Sequence, residues 1–276
     1  MLTPSIEGFV DGNGVTYRYA ELQGTDPDAA WVSLQDASIE EYLNQDSMIP
    51  AEIQTLYELF DGFIASVLSG KRKQRILDVG CGIRSNWPPY VRSLQIGQAA
   101  TSNVYVGLDP LKHNMSGRQY PFIAGRLEDL PGTLNARFDA FLFSTSLDHF
   151  QDIRQCAAVI SSLANPGAVS IFWIGLHDPA IVAEQVGAHV FRKIFASLHP
   201  VRFLWRYLEA GFRVPVTYIR LLARRSKLLT GKPLDNLHFH YFTERNLRPA
   251  LELFGEVERY LQVPGTNSVF VCVRHR

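Results

Sequence analysis

From Ile76 onward, short aliphatic runs alternate with longer stretches whose apolar residues recur every third or fourth position. Residues 76–79, 104–108, 138–144 and 169–175 read as buried strands, and Ile153 to Leu163 reads as a crossover helix between two of them. Strands alternating with helix-length segments predict βαβ crossovers and a parallel sheet. Upstream, Tyr42, Leu43, Ile49, Ile53, Leu56, Leu59, Phe60, Phe63, Ile64 and Val67 recur at helical spacing. They predict two helices over residues 38–68, the second starting at Pro50 because proline suits a first helical position. Residues 9–19 alternate weakly about Asp11, Gly12, Asn13 and Gly14, which predicts a small hairpin. Near the end, Thr243 is placed to cap a helix carrying Leu247, Leu251 and Phe254 on one face. Residues 257–263 and 268–273 then predict two antiparallel strands joined through Pro264, Gly265, Thr266 and Asn267.

The candidate chemistry begins where the first strand ends. Ile76, Leu77, Asp78, Val79, Gly80, Cys81 and Gly82 form an apolar run closed by an acid and two glycines one residue apart. Such a turn lets the backbone lie against a ligand with no side chain between them. A dinucleotide site requires a third glycine three residues on, opening a helix whose N-terminus meets pyrophosphate. Position 85 is Ser85, followed by Asn86, Trp87, Pro88 and Pro89, so the pyrophosphate reading loses its main support. An acid two residues before the first glycine suits a ligand with an ammonium group near the loop, and Asp78 is expected to face that cation.

The downstream segments resemble, in order, the class I S-adenosylmethionine-dependent methyltransferases. Residues 104–110 look like that family's second strand, Gly125 to Pro131 like the turn beside the adenine, and Phe138 to Ser144 like its fourth strand. Thr145, Ser146, Leu147, Asp148 and His149 stand at the end of that strand, and residues 165–175 look like the next turn and the fifth strand. The resemblance covers residues 70–176, with a weaker continuation from 237 to the end. It implies a Rossmann-like, doubly wound, mostly parallel seven-stranded α/β sheet with an antiparallel last strand and a helical insertion. It implies S-adenosylmethionine as cofactor and S-adenosylhomocysteine as product. Asp78, Gly80, Cys81, Gly82, Asp109, Pro110, Leu127, Glu128 and Ser144 would then contact the cofactor, with Asp109 accepting both ribose hydroxyls on its two oxygens. Two positions depart from the family pattern: Arg84 stands where a third glycine is usual, and Arg126 where an acid often receives the adenine amino group.

The 276 residues divide into a cleft-covering segment at 1–70, a cofactor-binding core at 71–176, an insertion at 177–236 and a closing helix and strands at 237–276. Formal charge is zero, so nucleic acid is not an expected partner of the whole chain. Locally the balance differs: Arg192, Lys193, Arg202, Arg206, Arg213, Arg220, Arg224, Arg225, Lys227 and Lys232 face one acid, Glu209. With apolar residues interleaved at helical spacing, this predicts amphipathic helices with a basic face. Three uses stay open: a solvated helical cap, a lid gripping an anionic acceptor, or contact with an anionic membrane surface through 187–232. Cys81, Cys156 and Cys272 are too scattered for a zinc knuckle or a disulfide framework, and read as reduced thiols of a cytoplasmic protein. No secretory signal is expected from Met1 to Phe9, and no apolar run has membrane-spanning length.

Methyl transfer from a sulfonium is an in-line displacement, so a general base is optional. Asp148 and His149 after strand four, and His177 after strand five, stand at carboxyl ends of strands, where open α/β sheets bind ligands. His238 and His240 form a His-x-His pair, but no third ligand lies at useful spacing, and no metal is expected. The leading reading is a methyltransferase acting on a small-molecule or glycan acceptor. A catalytically silent binding or scaffold protein of the same fold is the second reading, and a nicotinamide-dependent oxidoreductase the third.

Overall fold

The computed structural model describes residues 2–5, 8–22, 51–69, 73–94, 96, 103–112, 115–131, 133–177 and 238–276. The first of the two expected N-terminal helices, Pro50 at the start of the second, and all of the insertion except His177 lie outside them. Described are β1 (Thr3–Pro4), β2 (Phe9–Val10), β3 (Thr16–Tyr17), β4 (Tyr19–Glu21), α1 (Ala51–Leu68), β5 (Arg75–Val79), β6 (Val104–Asp109) and β7 (Phe122–Ala124). After these come β8 (Phe138–Ser144), α2 (Ile153–Leu163), β9 (Ala164–Gly175), α3 (Glu244–Leu251), β10 (Glu256–Gln262) and β11 (Ser268–Arg274).

An eight-stranded sheet, in the order β10-β11-β9-β8-β5-β6-β7-β4, runs through the molecule. Strands β4 to β9 are mutually parallel, and β11 reverses direction against both β9 and β10. Seven of these strands are the expected Rossmann-like, doubly wound arrangement with its antiparallel end. The eighth, β4, pairs Tyr19, Ala20 and Glu21 with Phe122, Ile123 and Ala124 at the far edge. Three residues are too few for a period-two signal to register in the chain, so this edge strand is a tertiary event. The hairpin about Asp11 forms as expected, joining β2 and β3 with Phe9 opposite Tyr17. Asp11 Oδ1 accepts the backbone amides of Asn13 and Val15, each at 2.9 Å, which closes its turn.

The sheet is covered on both faces because its strands are apolar on both. In β5, Ile76 and Asp78 point to one face and Leu77 and Val79 to the other, as the period of a strand requires. Leu77, Val106, Phe141, Phe143 and Phe172 pack beneath α2 and α3, meeting Cys156, Ile160, Leu247 and Leu251. Helix α2 is capped by Asp152, whose carboxylate accepts the amides of Arg154 and Gln155. Thr243 and Asn246 form a reciprocal capping box at the start of α3. On the opposite face Phe60, Phe63, Ile64 and Leu68 of α1, spaced at i, i+3, i+4 and i+8, lie over Ile76, Leu142, Ile171, Trp173 and Phe270. The Phe60 ring is fully buried, with centroids of Phe270, Trp173 and Tyr90 at 5.0, 5.6 and 5.7 Å. Among the described residues no helix is long and apolar enough to cross a membrane.

Replacing Phe60 by alanine leaves a cavity among three aromatic rings, and the expected loss is about 3 to 5 kcal/mol of unfolding free energy. Denaturant unfolding followed by tryptophan fluorescence measures it. A loss under about 1 kcal/mol would show that α1 is not anchored at this ring.

Candidate functional site

At the carboxyl end of β5 the chain turns through Gly80 and Gly82, both at φ +75°, where a Cβ is disfavoured. Gly80 is glycine for a second reason, since a Cβ there would come within 2.4 Å of Ser146 Cβ. Ser146 in turn donates its hydroxyl to the Val79 carbonyl at 2.5 Å, clamping the end of β8 onto the end of β5. The amides of this turn are all spent inside the protein. Gly80 and Cys81 donate to the Leu108 carbonyl at 2.8 and 3.2 Å, and Gly82 donates to Asp109 Oδ2 at 2.8 Å. The other carboxylate oxygen of Asp109 accepts the Leu111 amide at 2.9 Å.

Beneath the turn lies a buried polar layer. Asp78 is fully buried, and its Oδ2 accepts hydroxyl protons from Tyr90, at 2.8 Å, and from Tyr105. Its Oδ1 has no hydrogen-bond partner. Burial pushes this carboxyl up from its ordinary value to about 7, the two tyrosine hydroxyls partly opposing the rise and the charge of Asp109 adding to it. Arg118, at 1% exposure, holds the far side of the turn. Its Nη1 donates to Gly82 O at 2.9 Å, to Tyr120 Oη at 2.8 Å and to Arg84 O at 3.3 Å. The guanidinium lies 3.6 Å from the centroid of the Phe122 ring, a cation over an aromatic face. Burial likewise raises the Asp109 carboxyl, while the amides of Leu111 and Gly82 and the charges of Arg118 and His149 pull it back down.

Above the turn opens a cavity of about 350 Å³. Of the residues expected to contact a cofactor, Gly80, Cys81, Gly82, Asp109, Pro110, Leu127, Glu128 and Ser144 all line it. Asp78 does not: its side chain follows Ile76 to the α1 face of the sheet and is closed off by the two tyrosines, so it meets hydroxyl groups where a ligand cation was expected. Cys81 packs against Arg118 and Tyr120, and burial holds its thiol well above the usual range. Glu128 is paired with Arg126 at 3.4 Å on the cavity wall. Arg84 also lines the cavity, with its guanidinium 5.2 Å from the Tyr57 ring centroid. Cys81, Cys156 and Cys272 are all free and buried.

The far wall comes from the segment after β8. Thr145 sits at φ +55°, an uncommon conformation for a β-branched residue, and its amide donates to Trp173 O at 2.9 Å. Beyond it, His149 lines the cavity, while Asp148 stands beside it and outside the lining. His177 belongs elsewhere, its amide donating to Phe242 O at 2.7 Å and its ring standing edge-on to Tyr241. Sequence reasoning missed Tyr57, Tyr90, Arg118 and Phe239, gave Ser146 no role, and saw His238 only as half of a His-x-His pair. Phe239 lines the cavity, and His238 Nε2 lies 3.8 Å from Asp148 Oδ2. The lone Arg118 has no neighbour in sequence that marks it as part of a site.

No protein-family model matches this chain, and no curated protein matches it by sequence. Solved structures do resemble it in fold. The 1,6-didemethyltoxoflavin-N1-methyltransferase of Burkholderia thailandensis, crystallised with 1,6-didemethyltoxoflavin and S-adenosylhomocysteine, superposes with a TM-score of 0.54 at 15% identity, over 91% of each chain. An S-adenosylmethionine-dependent methyltransferase of Clostridium acetobutylicum gives a TM-score of 0.50 at 11% identity, over 87% of this chain and 99% of that one. The fold is therefore that of the class I S-adenosylmethionine-dependent methyltransferases.

Because the folded pKa of Asp78, about 7, lies above its ordinary value of 3.8, the folded protein keeps a proton that the unfolded chain releases between those values. The stability tied to that proton is complete below the unfolded pKa and is lost as pH rises through the folded one. Asp78→Asn has no proton to lose, so its unfolding free energy should fall less steeply with pH across this window than that of the parent chain. Parallel urea titrations measure the two slopes, and identical slopes would remove Asp78 as the cause.

Proposed function

We propose that this protein is an S-adenosylmethionine-dependent methyltransferase acting on a small molecule. The observation that carries the reading is the state of the turn's amides. Gly80, Cys81 and Gly82 direct their N–H groups at Leu108 O and Asp109, so this turn offers them to no phosphate. A nicotinamide dinucleotide, whose pyrophosphate needs those donors, is disfavoured on the same ground.

The residues present fit a nucleoside joined to an amino acid. The cavity volume lies within the range of about 300 to 1,000 Å³ usual for small-molecule sites. Asp109 is at its wall with each oxygen engaged by one amide, which leaves lone pairs for two ribose hydroxyls. Leu108, Leu111 and Leu127 supply apolar surface for a base, and Gly82, where a Cβ would meet nothing within 4 Å, leaves the turn open to the ligand. Arg84 is suited to the ligand's carboxylate.

When bound, S-adenosylmethionine supplies an electrophilic methyl group on a sulfonium. The chain's own task is to fix the two reactants in line and exclude water. The acceptor is taken to enter at the wall formed by Ser146, His149, Phe150, Gln151 and Phe239, whose aromatic and polar groups suit a planar or hydroxylated small molecule. An anionic or glycan acceptor is the finer form of the proposal, suggested by the basic residues between 187 and 232. A second reading, a silent binding protein of this fold, draws on Asp78, whose carboxylate is turned away from the cavity.

Calorimetry with S-adenosylmethionine and with S-adenosylhomocysteine tests the cofactor. Both should bind, and Asp109→Ala should weaken each about hundredfold, two hydrogen bonds to a charged group at roughly 1.5 kcal/mol apiece. Binding of a reduced nicotinamide dinucleotide in their place would overturn the proposal. Binding of both without transfer to any acceptor in a broad screen would favour the silent reading.

A further inference from the structure

Three polar side chains from distant parts of the chain converge beside the cavity. Asp148 and His149 come from the 3-10 turn that follows β8, and His238 from the segment that returns before α3. Two backbone hydrogen bonds hold the segments together, from the amides of Phe239 and His240 to the Asp148 carbonyl, at 2.8 and 3.1 Å. His149 Nε2 lies 3.9 Å from Asp148 Oδ1, and His238 Nε2 lies 3.8 Å from Asp148 Oδ2. The two imidazoles are 4.6 Å apart between centroids, tilted by 34°.

These separations are informative in both directions. They exceed the roughly 2.7 to 3.2 Å of a hydrogen bond, and Asp148 Oδ1 is a buried atom that accepts no hydrogen bond. Yet one ligand atom from each residue falls within 4.8 Å of the other two. Ligands about 2.1 Å from a tetrahedral ion stand roughly 3.4 Å apart, so the widest pair must close by up to about 1.4 Å, a movement shared between two side chains. Two imidazoles and one carboxylate suit a divalent first-row transition ion, and three protein ligands leave positions open for water or a ligand.

We propose that Asp148, His149 and His238 form a binding site for such a divalent ion at the edge of the cavity. Since His149 also lines the cavity, the ion would stand where the acceptor is taken to enter. The ion site does not depend on the methyltransferase reading, because it is defined by the chain's own ligands. His240, two residues from His238, is not part of it: its Nε2 lies 3.2 Å from Gln151 O and its ring stacks on Phe242.

Titration of the full chain with Co²⁺ alone, no cofactor added, tests the site. One-to-one binding with visible d–d absorption, displaced by Zn²⁺, is the expected result. His238→Ala and Asp148→Asn should each weaken it at least tenfold, and His240→Ala should leave it unchanged, with circular dichroism confirming that every variant is folded. Absence of d–d absorption at saturating Co²⁺ overturns the site, as does Co²⁺ binding that survives both substitutions. Imidazole signals in nuclear magnetic resonance that Zn²⁺ leaves unaltered would likewise overturn it.

Discussion

The contact on which the site depends is the one between the Asp109 carboxylate and the Gly82 amide. It ties the end of β6 to the turn after β5, and it makes one residue both a structural acceptor and part of the cavity wall. Arg118 holds the same turn by its carbonyls, at Gly82 and Arg84. With amides pulled one way and carbonyls the other, the turn keeps its left-handed glycines without a helix to brace it. The chain then enters a single 3-10 turn at Pro89–Val91, because Trp87, Pro88 and Pro89 delay regular helix. A glycine turn stabilised in this manner presents a smooth backbone face to a ligand rather than a nest of donors.

That arrangement has an electrostatic cost, carried by the layer underneath. Asp78 and Asp109 are both buried, and both carboxyls are raised by desolvation. Arg118 is buried as well, and its Nε and Nη2 have no hydrogen-bond partner. The aromatic rings around it explain how a cation is tolerated there, with Phe122 below and Tyr120 beside it. Thr145 adds backbone strain, a conformation that costs on the order of 1 to 3 kcal/mol and persists only where neighbours hold it. Its amide is held by Trp173 and the following residue by Val79, so the strain is supported from both adjacent strands.

The opposite wall obeys a different logic. Asp148 and His149 were legible as candidates because they stand where a parallel strand ends, and α/β sheets bind ligands there. His238 was visible only as half of a His-x-His pair. Its grouping with Asp148 and His149 joins residues far apart in the chain through two backbone hydrogen bonds. No spacing rule covers that distance. The same holds for Phe239 and for Tyr57, which α1 carries to the cavity from the N-terminal side.

The sequence by itself determined the strands that are buried on both faces, α2, the N-cap of α3 and the glycine turn. Each is a local matter: an apolar run, a helical period, a capping residue, or a backbone conformation that only glycine adopts cheaply. It also determined the part of the cavity lining that Gly80 to Gly82, Asp109, Pro110, Leu127, Glu128, Ser144 and His149 supply, because the ends of successive parallel strands meet at one edge of the sheet by topology alone. Only the tertiary structure decided where Asp78 points, since strand parity sends it to the face where Tyr90 and Tyr105 enclose it. It alone recruited β4 as an eighth strand, buried Arg118 beneath the turn and brought His238 to Asp148. These depend on pairing and desolvation between segments remote in the chain, and such energies leave no periodic trace in the residues that supply them.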